Sequence, residues 1–514
     1  MGIRAESLRM IAHVFLFFIG ATLAFLSWRH WHVMPSFAEA GALRLVVFAG
    51  FAGFVLWQVP CAWWSWREGR RKSKAKTLLR LGGFTWNQND FCRGWLITGE
   101  TGSGKTLAVI NNMLCQVTQN CPNWGGICID DKGLYWETLS TMFRALGREK
   151  DLILLRVRPA DAPADWKPTH TFNFLEDTRL PYSSKAKDVC DVAASLGQDG
   201  DQPFFKTQAE IQMDFAFRAL ACTGAPVTLE NAHELLASDA WLKKCIGKLE
   251  NMSTPEAEAL LEHYRTQIAT QPADQLGGVR GSLANRLKHF TPPDIAEVFC
   301  PDKSTFSISE IDKGKVVCVS IPQRFKTERR YIHTLLKLVF YSHVLLRFDR
   351  PAEERAKDNL LILWADEAQK IITASEDGTS DYNVVDVMRE AKATVVAATQ
   401  SYTSLIPPIG DEQKAKVFIA NMANRVICKA ADEESAKIAA DTLGKKKYKK
   451  RNYGYSAGKR TMSYSEEEKY YIEPHEFRRL RKFEAVVQHC EQGFRRVRLT
   501  PRGANGKVPE WYQG

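Results

Sequence analysis

The run Gly99-Glu100-Thr101-Gly102-Ser103-Gly104-Lys105-Thr106 has the spacing G-x-x-x-x-G-K-[ST]. Each residue type in it has a task in holding a polyphosphate. The glycines let backbone N–H groups wrap phosphate oxygens at a helix N-terminus. Lys105 is placed to reach the β- and γ-phosphates, and the Thr106 hydroxyl to bind Mg²⁺. A second group is the acid pair Asp366-Glu367. Asp366 is expected to hold the Mg²⁺ through water, and Glu367 to orient and polarise an attacking water. A third is Gln400, whose amide can sense the γ-phosphate or that water. Arg389, 11 residues before Gln400, reads in two ways. It is a solvated helix arginine, or a cation that reaches a neighbouring subunit's nucleotide in a ring and neutralises transition-state charge. Arg425, in NMANRVICK, is a weaker candidate for the same task.

These groups need a parallel sheet to converge. Gly94–Thr98 (GWLIT) reads as a short buried strand entering the glycine loop, and LAVINNMLCQV after it as a helix. Asn359–Ala365 (NLLILWA) is a continuous apolar run, as expected of a central strand covered on both faces. Ala393–Ala398 (ATVVAA) is another, with a helix expected over Val384–Lys392 before it. Between Leu180 and Phe290 the chain is rich in Ala, Leu, Gln, Glu and Lys, Thr228 reads as a helix cap, and strands resume at Lys315–Ser320.

The 514 residues are 45% hydrophobic and 25% charged, enough to bury a sizeable core, which excludes a disordered chain. Twelve cysteines with no C-x2-C spacing argue against a zinc module or a disulfide scaffold. The net charge is +11, but residues 1–80 hold 11 Lys/Arg against 3 Asp/Glu, so most of the excess sits at the N-terminus. There, residues 10–28 and 45–66 are uncharged apolar runs. Each is long enough to cross a hydrocarbon core of about 30 Å, and both are read as transmembrane helices. Seven Lys/Arg crowd residues 67–80, forming a basic stalk, against two in the loop 29–44. The positive-inside rule then puts both termini in the cytoplasm. Lys445–Arg460 (KKKYKKRNYGYSAGKR) has eight Lys/Arg, three Tyr and no acid. It reads either as a nucleic-acid contact, with cations on phosphates and rings on bases, or as a solvated surface loop.

Taken together, the chain resembles the type IV secretion coupling proteins, the membrane ATPases of conjugal DNA transfer that include the TraG and TraD types. The resemblance is carried by the two apolar N-terminal runs, GETGSGKT, GGICIDDKG (125–133), LLILWADEAQ and REAKATVVAATQS (389–401). Residues 169–175 (THTFNFL) are similar to a short Asn-Pro-Leu element of that family, with Phe174 in place of proline. The resemblance implies an α/β fold, a RecA-like P-loop NTPase domain with an inserted all-α domain, preceded by two transmembrane helices. The expected division is a membrane anchor over 1–80, a discontinuous ATPase domain over 82–180 and 291–500, an all-α domain over 181–290 and a short tail over 501–514. It also implies a homo-hexamer in a bacterial inner membrane that hydrolyses ATP with Mg²⁺. Its implied partners are DNA with a relaxase and the components of a type IV secretion channel. Two other readings share the motifs: an FtsK-like DNA translocase, and an effector-docking receptor that uses ATP as a conformational switch.

Overall fold

Strands whose side chains are buried on both faces have to stack side by side between two layers of cover, and that layering organises this molecule. The structure, a computed structural model, describes residues 76–197, 203–375, 378–456 and 459–513. The runs 10–28 and 45–66 lie outside the described residues, and no helix among the described residues is long and apolar enough to cross a membrane. Residues 78–514 form one compact unit.

A two-stranded ribbon, β1 (Leu79–Leu81) and β2 (Phe84–Trp86), comes first. β3 (Trp95–Thr98) leads into the glycine loop. After it come a π-helical turn over Lys105–Ile110 and α1 (Asn111–Asn120). β4 (Gly125–Asp130), α2 (Tyr135–Ala145) and β5 (Leu152–Arg156) follow. Among the described residues, the regular elements from there to β6 are all helical: α3 (Tyr182–Ser195), α4 (Pro203–Cys222), α5 (Leu229–Ala237), α6 (Asp239–Glu250), α7 (Pro255–His263), α8 (Ala273–Leu287) and α9 (Pro293–Phe299). The cap expected at Thr228 is in place, its hydroxyl accepting an N–H from the first turn of α5, and Thr254 does the same for α7.

The sheet resumes with β6 (Val316–Ser320), α10 (Lys326–Leu345), β7 (Leu361–Asp366), β8 (Ala393–Thr399), α11 (Glu412–Asn421) and β9 (Asn424–Ile427). Next are α12 (Glu433–Leu443), a hairpin of β10 (Lys445–Ser456) and β11 (Lys459–Tyr470), α13 (Pro474–Arg478), β12 (Glu484–His489) and β13 (Gly493–Arg498). Nine strands form one sheet in the order β13-β12-β9-β3-β8-β7-β4-β6-β5. The run from β9 to β5 is parallel, and β12 and β13 join antiparallel at one edge.

Alternate side chains point to opposite faces. Trp95, Ile97, Cys128, Ile362, Trp364 and Ala398 pack under α1, α2 and the β1–β2 ribbon. Leu96, Ile127, Leu363, Val395 and Ala397 point the other way, into a cluster continuous with α3 to α10. The helical insert therefore shares one core with a face of the sheet. The helix expected over Val384–Lys392 is not there. Two short turns, Asp381–Val384 and Met388–Ala391, replace it, and Lys392 leaves the second in a left-handed conformation (φ 53°). The β-branched Val384, Val385 and Val387 are poor helix formers, and Val384, Val385 and Met388 are drawn into the core instead.

Candidate functional site

Because β3, β7 and β8 are parallel neighbours, their C-terminal ends lie along one edge of the sheet. The glycine loop, Asp366-Glu367 and Gln400 leave from those three ends. This is the crevice in which open α/β sheets bind ligands.

The loop is anchored from two sides. The Glu100 N–H donates to the Lys429 carbonyl at 2.8 Å, and the Lys429 ammonium reaches the Glu100 carboxylate at 2.9 Å. On the other flank the Phe483 N–H donates to the Ser103 carbonyl at 3.1 Å. Gly104 sits at φ +98°, and a Cβ there would come 2.5 Å from the Phe483 ring. Ser103 closes the loop internally, its hydroxyl donating to the Glu100 carbonyl at 2.8 Å. Thr101 and Gly102 are exposed at its tip. Lys105 is buried with its ammonium on the carbonyls of Gly99 and Glu100. Burial lowers its pKa, and the nearby carboxylates of Glu367 and Asp366 oppose that shift.

Asp130 and Asp366 are register partners at the ends of β4 and β7, but their environments separate them. The Asp130 carboxylate accepts the N–H groups of Lys132, Leu134 and Tyr135 at 3.0–3.1 Å, so it is the structural acid that starts α2. Asp366 accepts a single N–H, from Glu367 at 3.1 Å. Burial, then the charges of Asp130 and Glu367, push its pKa up to about 6. A carboxylate stressed in this way is relieved by a cation. Among the described residues no three His, Cys, Asp or Glu side chains are grouped for a metal. Mg²⁺ suits a lone stressed carboxylate such as Asp366, because it retains waters and takes phosphate oxygens as ligands.

Glu367 has φ 55° and ψ 47°, a left-handed conformation that a non-glycine residue adopts at a cost. The geometry turns its carboxylate to Gln369 Nε2 at 2.5 Å and to Gln400 Nε2 at 3.2 Å.

Arg389 is elsewhere. It stands in the turn before β8, at the opposite edge of the sheet, exposed and with Nε donating to Asn89 Oδ1 at 2.9 Å. It does not join its own subunit's site. Arg425 is not a candidate for that task. It is buried in β9, where its guanidinium donates to the Met422 and Ile419 carbonyls at 3.0 and 2.7 Å and completes the end of α11.

Asn173 ties the two ends of the helical insert together. Its amide donates to the carbonyls of Val227 and Pro301 at 2.9 and 3.2 Å. Phe174 stacks on Phe299 with ring centroids 5.8 Å apart and is buried, which explains an aromatic ring at that position.

The basic run 445–460 is one arm of a hairpin, not an irregular loop. β11 sets Glu468, Glu467 and Glu466 directly across from Lys447, Tyr448 and Lys449. Lys447 reaches the Glu466 carboxylate at 3.9 Å. Lys445 and Lys446 lie over the rings of Tyr470 and Tyr448 at 4.7 and 4.8 Å. Sequence reasoning missed this acid strand, and it missed Phe483 and the segment 499–512. That segment, expected to be a short tail, lies along α1, with the Asn111 amide donating to the Arg502 carbonyl at 3.0 Å. No local motif marks Phe483 or this segment, since their partners Ser103 and Asn111 stand about 380 and 390 residues earlier in the chain.

A family model for the type IV secretion-system coupling protein DNA-binding domain matches residues 79–500. No curated protein matches the chain. Among solved structures it is similar to the bacterial conjugative coupling protein TrwBdeltaN70 in its unbound monoclinic form. The identity is 17%, with 85% of this chain and 91% of that chain covered and a TM-score of 0.60. The plasmid coupling protein TrwB in complex with ADP and Mg²⁺ gives 17% identity, 85% and 92% coverage and a TM-score of 0.60. The same protein with the GTP analogue GDPNP gives 17%, 83% and 89%, and 0.60. The fold is thus shared with these structures, and the chain belongs to the family of the type IV secretion-system coupling protein DNA-binding domain.

Proposed function

We propose that this chain is a nucleoside triphosphatase that hydrolyses ATP with Mg²⁺. As a membrane-anchored hexamer it drives DNA, with its relaxase, into a type IV secretion channel. The observation that carries the reading is the meeting of the Lys105 loop, Asp366, Glu367 and Gln400 at the ends of three adjacent parallel strands. Lys105 and the loop N–H groups hold the β- and γ-phosphates. Thr106 and Asp366 hold the metal, which neutralises charge developing on the phosphates. Glu367 aligns the water for in-line attack, and Gln400 fixes that carboxylate. Related proteins crystallised with ADP and Mg²⁺ and with GDPNP support nucleotide as the ligand. The apolar runs 10–28 and 45–66 and the basic stretch after them support a bacterial inner-membrane location with both termini cytoplasmic.

DNA as the substrate is supported by the family match and by the basic hairpin β10–β11. Between residues 445 and 470 the hairpin carries nine Lys/Arg against three Glu. The test is phosphate release by the purified full chain in detergent, with and without DNA. Turnover that rises with DNA and vanishes in Lys105→Ala is expected, and a chain that binds ATP but never releases phosphate would overturn the reading.

A further inference from the structure

The side of the phosphate loop facing away from Gln400 and Glu367 is built from aromatic rings. After β13 the chain turns back across the start of the loop helix. The Arg502 N–H donates to the Leu107 carbonyl at 2.9 Å, and the Asn112 amide donates to the Thr500 carbonyl at 3.3 Å. This path delivers Trp511 and Tyr512 to Phe483. The rings of Phe483 and Trp511 stack with centroids 5.9 Å apart and planes inclined at 26°. Tyr512 meets both edge-on, at 5.7 and 6.2 Å. Lys482 lies over Phe483 at 5.2 Å and over Trp511 at 5.9 Å.

Exposure differs sharply within the stack. Phe483 is 5% exposed and fills the space beside Gly104, at a strained φ of +68°. Trp511, on top of it, is 57% exposed. Single exposed aromatics are ordinary. This one is held against the buried ring of a residue whose backbone N–H is hydrogen-bonded to the phosphate loop, so a wide π-face is presented in a fixed place. Such a face suits a flat heterocycle.

The strand order decides which part of a nucleotide would lie there. On one side of β3 stand β8 and β7, which carry Gln400 and Glu367 and so define the γ-phosphate end. On the other side stand β9, β12 and β13, which bring Lys429, Phe483 and the segment 499–512. A triphosphate laid across the loop with its γ end towards Glu367 carries its ribose and base to that second side.

From this we infer that Trp511 is the stacking platform for the nucleotide base, with Phe483 as the residue that positions it. The inference rests on the nucleotide reading above and deepens it. The platform reads the face of the base, so its contribution belongs to the nucleoside end of the ligand and not to the phosphates.

The test is calorimetric titration of the full chain in detergent with Mg²⁺, using ATP and inorganic tripolyphosphate as ligands. Wild type binds ATP more tightly than tripolyphosphate. Trp511→Ala raises the ATP Kd by roughly tenfold, the worth of one stacked base, and leaves the tripolyphosphate Kd unchanged. Trp511→Phe recovers most of the ATP affinity. Unchanged ATP binding in Trp511→Ala, or equal losses for both ligands, would overturn the platform while the nucleotide reading stands. If the wild-type chain bound neither ligand, both readings would fall together.

Discussion

The Nε2 atom of Gln400 lies 3.3 and 3.2 Å from the two carboxylate oxygens of Glu367, a donor and an acceptor 33 residues apart brought together by neighbouring parallel strands. With Gln369 on the same carboxylate, Glu367 is held in its left-handed conformation and aimed at one point. Glu367→Gln is expected to keep ATP affinity and lose turnover by roughly 10²–10⁴-fold, as for a removed general base. Gln400→Ala removes one hydrogen bond to a charged group and should lower kcat on the order of tenfold, or about 1.4 kcal/mol. Single-turnover phosphate release separates the two. Normal turnover in Glu367→Gln would show that another group aligns the water.

The glycines of the loop are not equivalent. Gly102 and Gly104 both have positive φ, +85° and +98°, but a Cβ on Gly102 meets nothing within 4 Å, while on Gly104 it collides with Phe483. Gly102→Ala should cost only backbone strain, about 1–2 kcal/mol. Gly104→Ala must also displace a ring wedged against the loop, so it should lower Tm further and weaken ATP binding more. Thermal melts with and without ATP measure both effects, and equal losses would contradict the Phe483 packing.

Arg389 is exposed at the edge of the sheet remote from its own nucleotide loop, and a role for it at another subunit's site makes a testable claim. Arg389→Ala should leave ATP affinity intact and lower turnover. Mixing it with Lys105→Ala subunits should restore part of the activity, because some interfaces then pair an intact arginine with an intact loop. Mixtures that never exceed the sum of their parts would reduce Arg389 to a partner of Asn89.

Asp188 in α3 is buried, and burial with the neighbouring Asp191 charge raises its pKa to about 7, with Lys187 pulling the other way. In the unfolded chain the group titrates near 3.9. Folding therefore favours its protonated form, and the stability it provides is present below about pH 4 and lost as pH rises through about 7. Asp188→Asn should stabilise the chain at pH 8, by up to about 4 kcal/mol for a shift of about three units. The gain should shrink towards pH 4. Denaturant melts across that range test it, and a pH-independent difference would show that the Asp188 carboxyl is not linked to folding.

In the hairpin, Glu466, Glu467 and Glu468 oppose Lys449, Tyr448 and Lys447. Replacing Lys445, Lys446, Lys447, Lys449 and Lys450 with Gln should weaken DNA binding. It should also flatten the log–log salt slope by about two to three if three phosphate contacts are lost. Glu466→Gln, Glu467→Gln and Glu468→Gln together should do the reverse. If neither set changes the slope, the hairpin is a solvated ribbon.

Much of the site was legible because phosphate chemistry is local. Eight consecutive residues make the loop, and a continuous apolar run ending in acid announces β7. The helical insert was legible from composition, since nothing between Leu180 and Phe290 alternates as a strand would. Pairing was not legible. The acid strand facing Lys445–Ser456 is a separate stretch of sequence, and neither strand carries along its length the period-two apolar alternation that would mark a pair. Arg425 reads as a free cation until the carbonyls of Ile419 and Met422 are seen around it. Phe483 sits in an unremarkable stretch, and its importance comes from a glycine some 380 residues earlier.

The apolar cluster that runs without a break from β7 and β8 into α3–α10 has a mechanical consequence. Swinging the insert as a separate body would expose that cluster to water at about 25 cal/mol per Å². Close-packed interiors have low compressibility and pass strain on. The helices and the sheet therefore form one packed body, so a load applied to the helices would be passed to β7 and β8, whose ends carry Glu367 and Gln400.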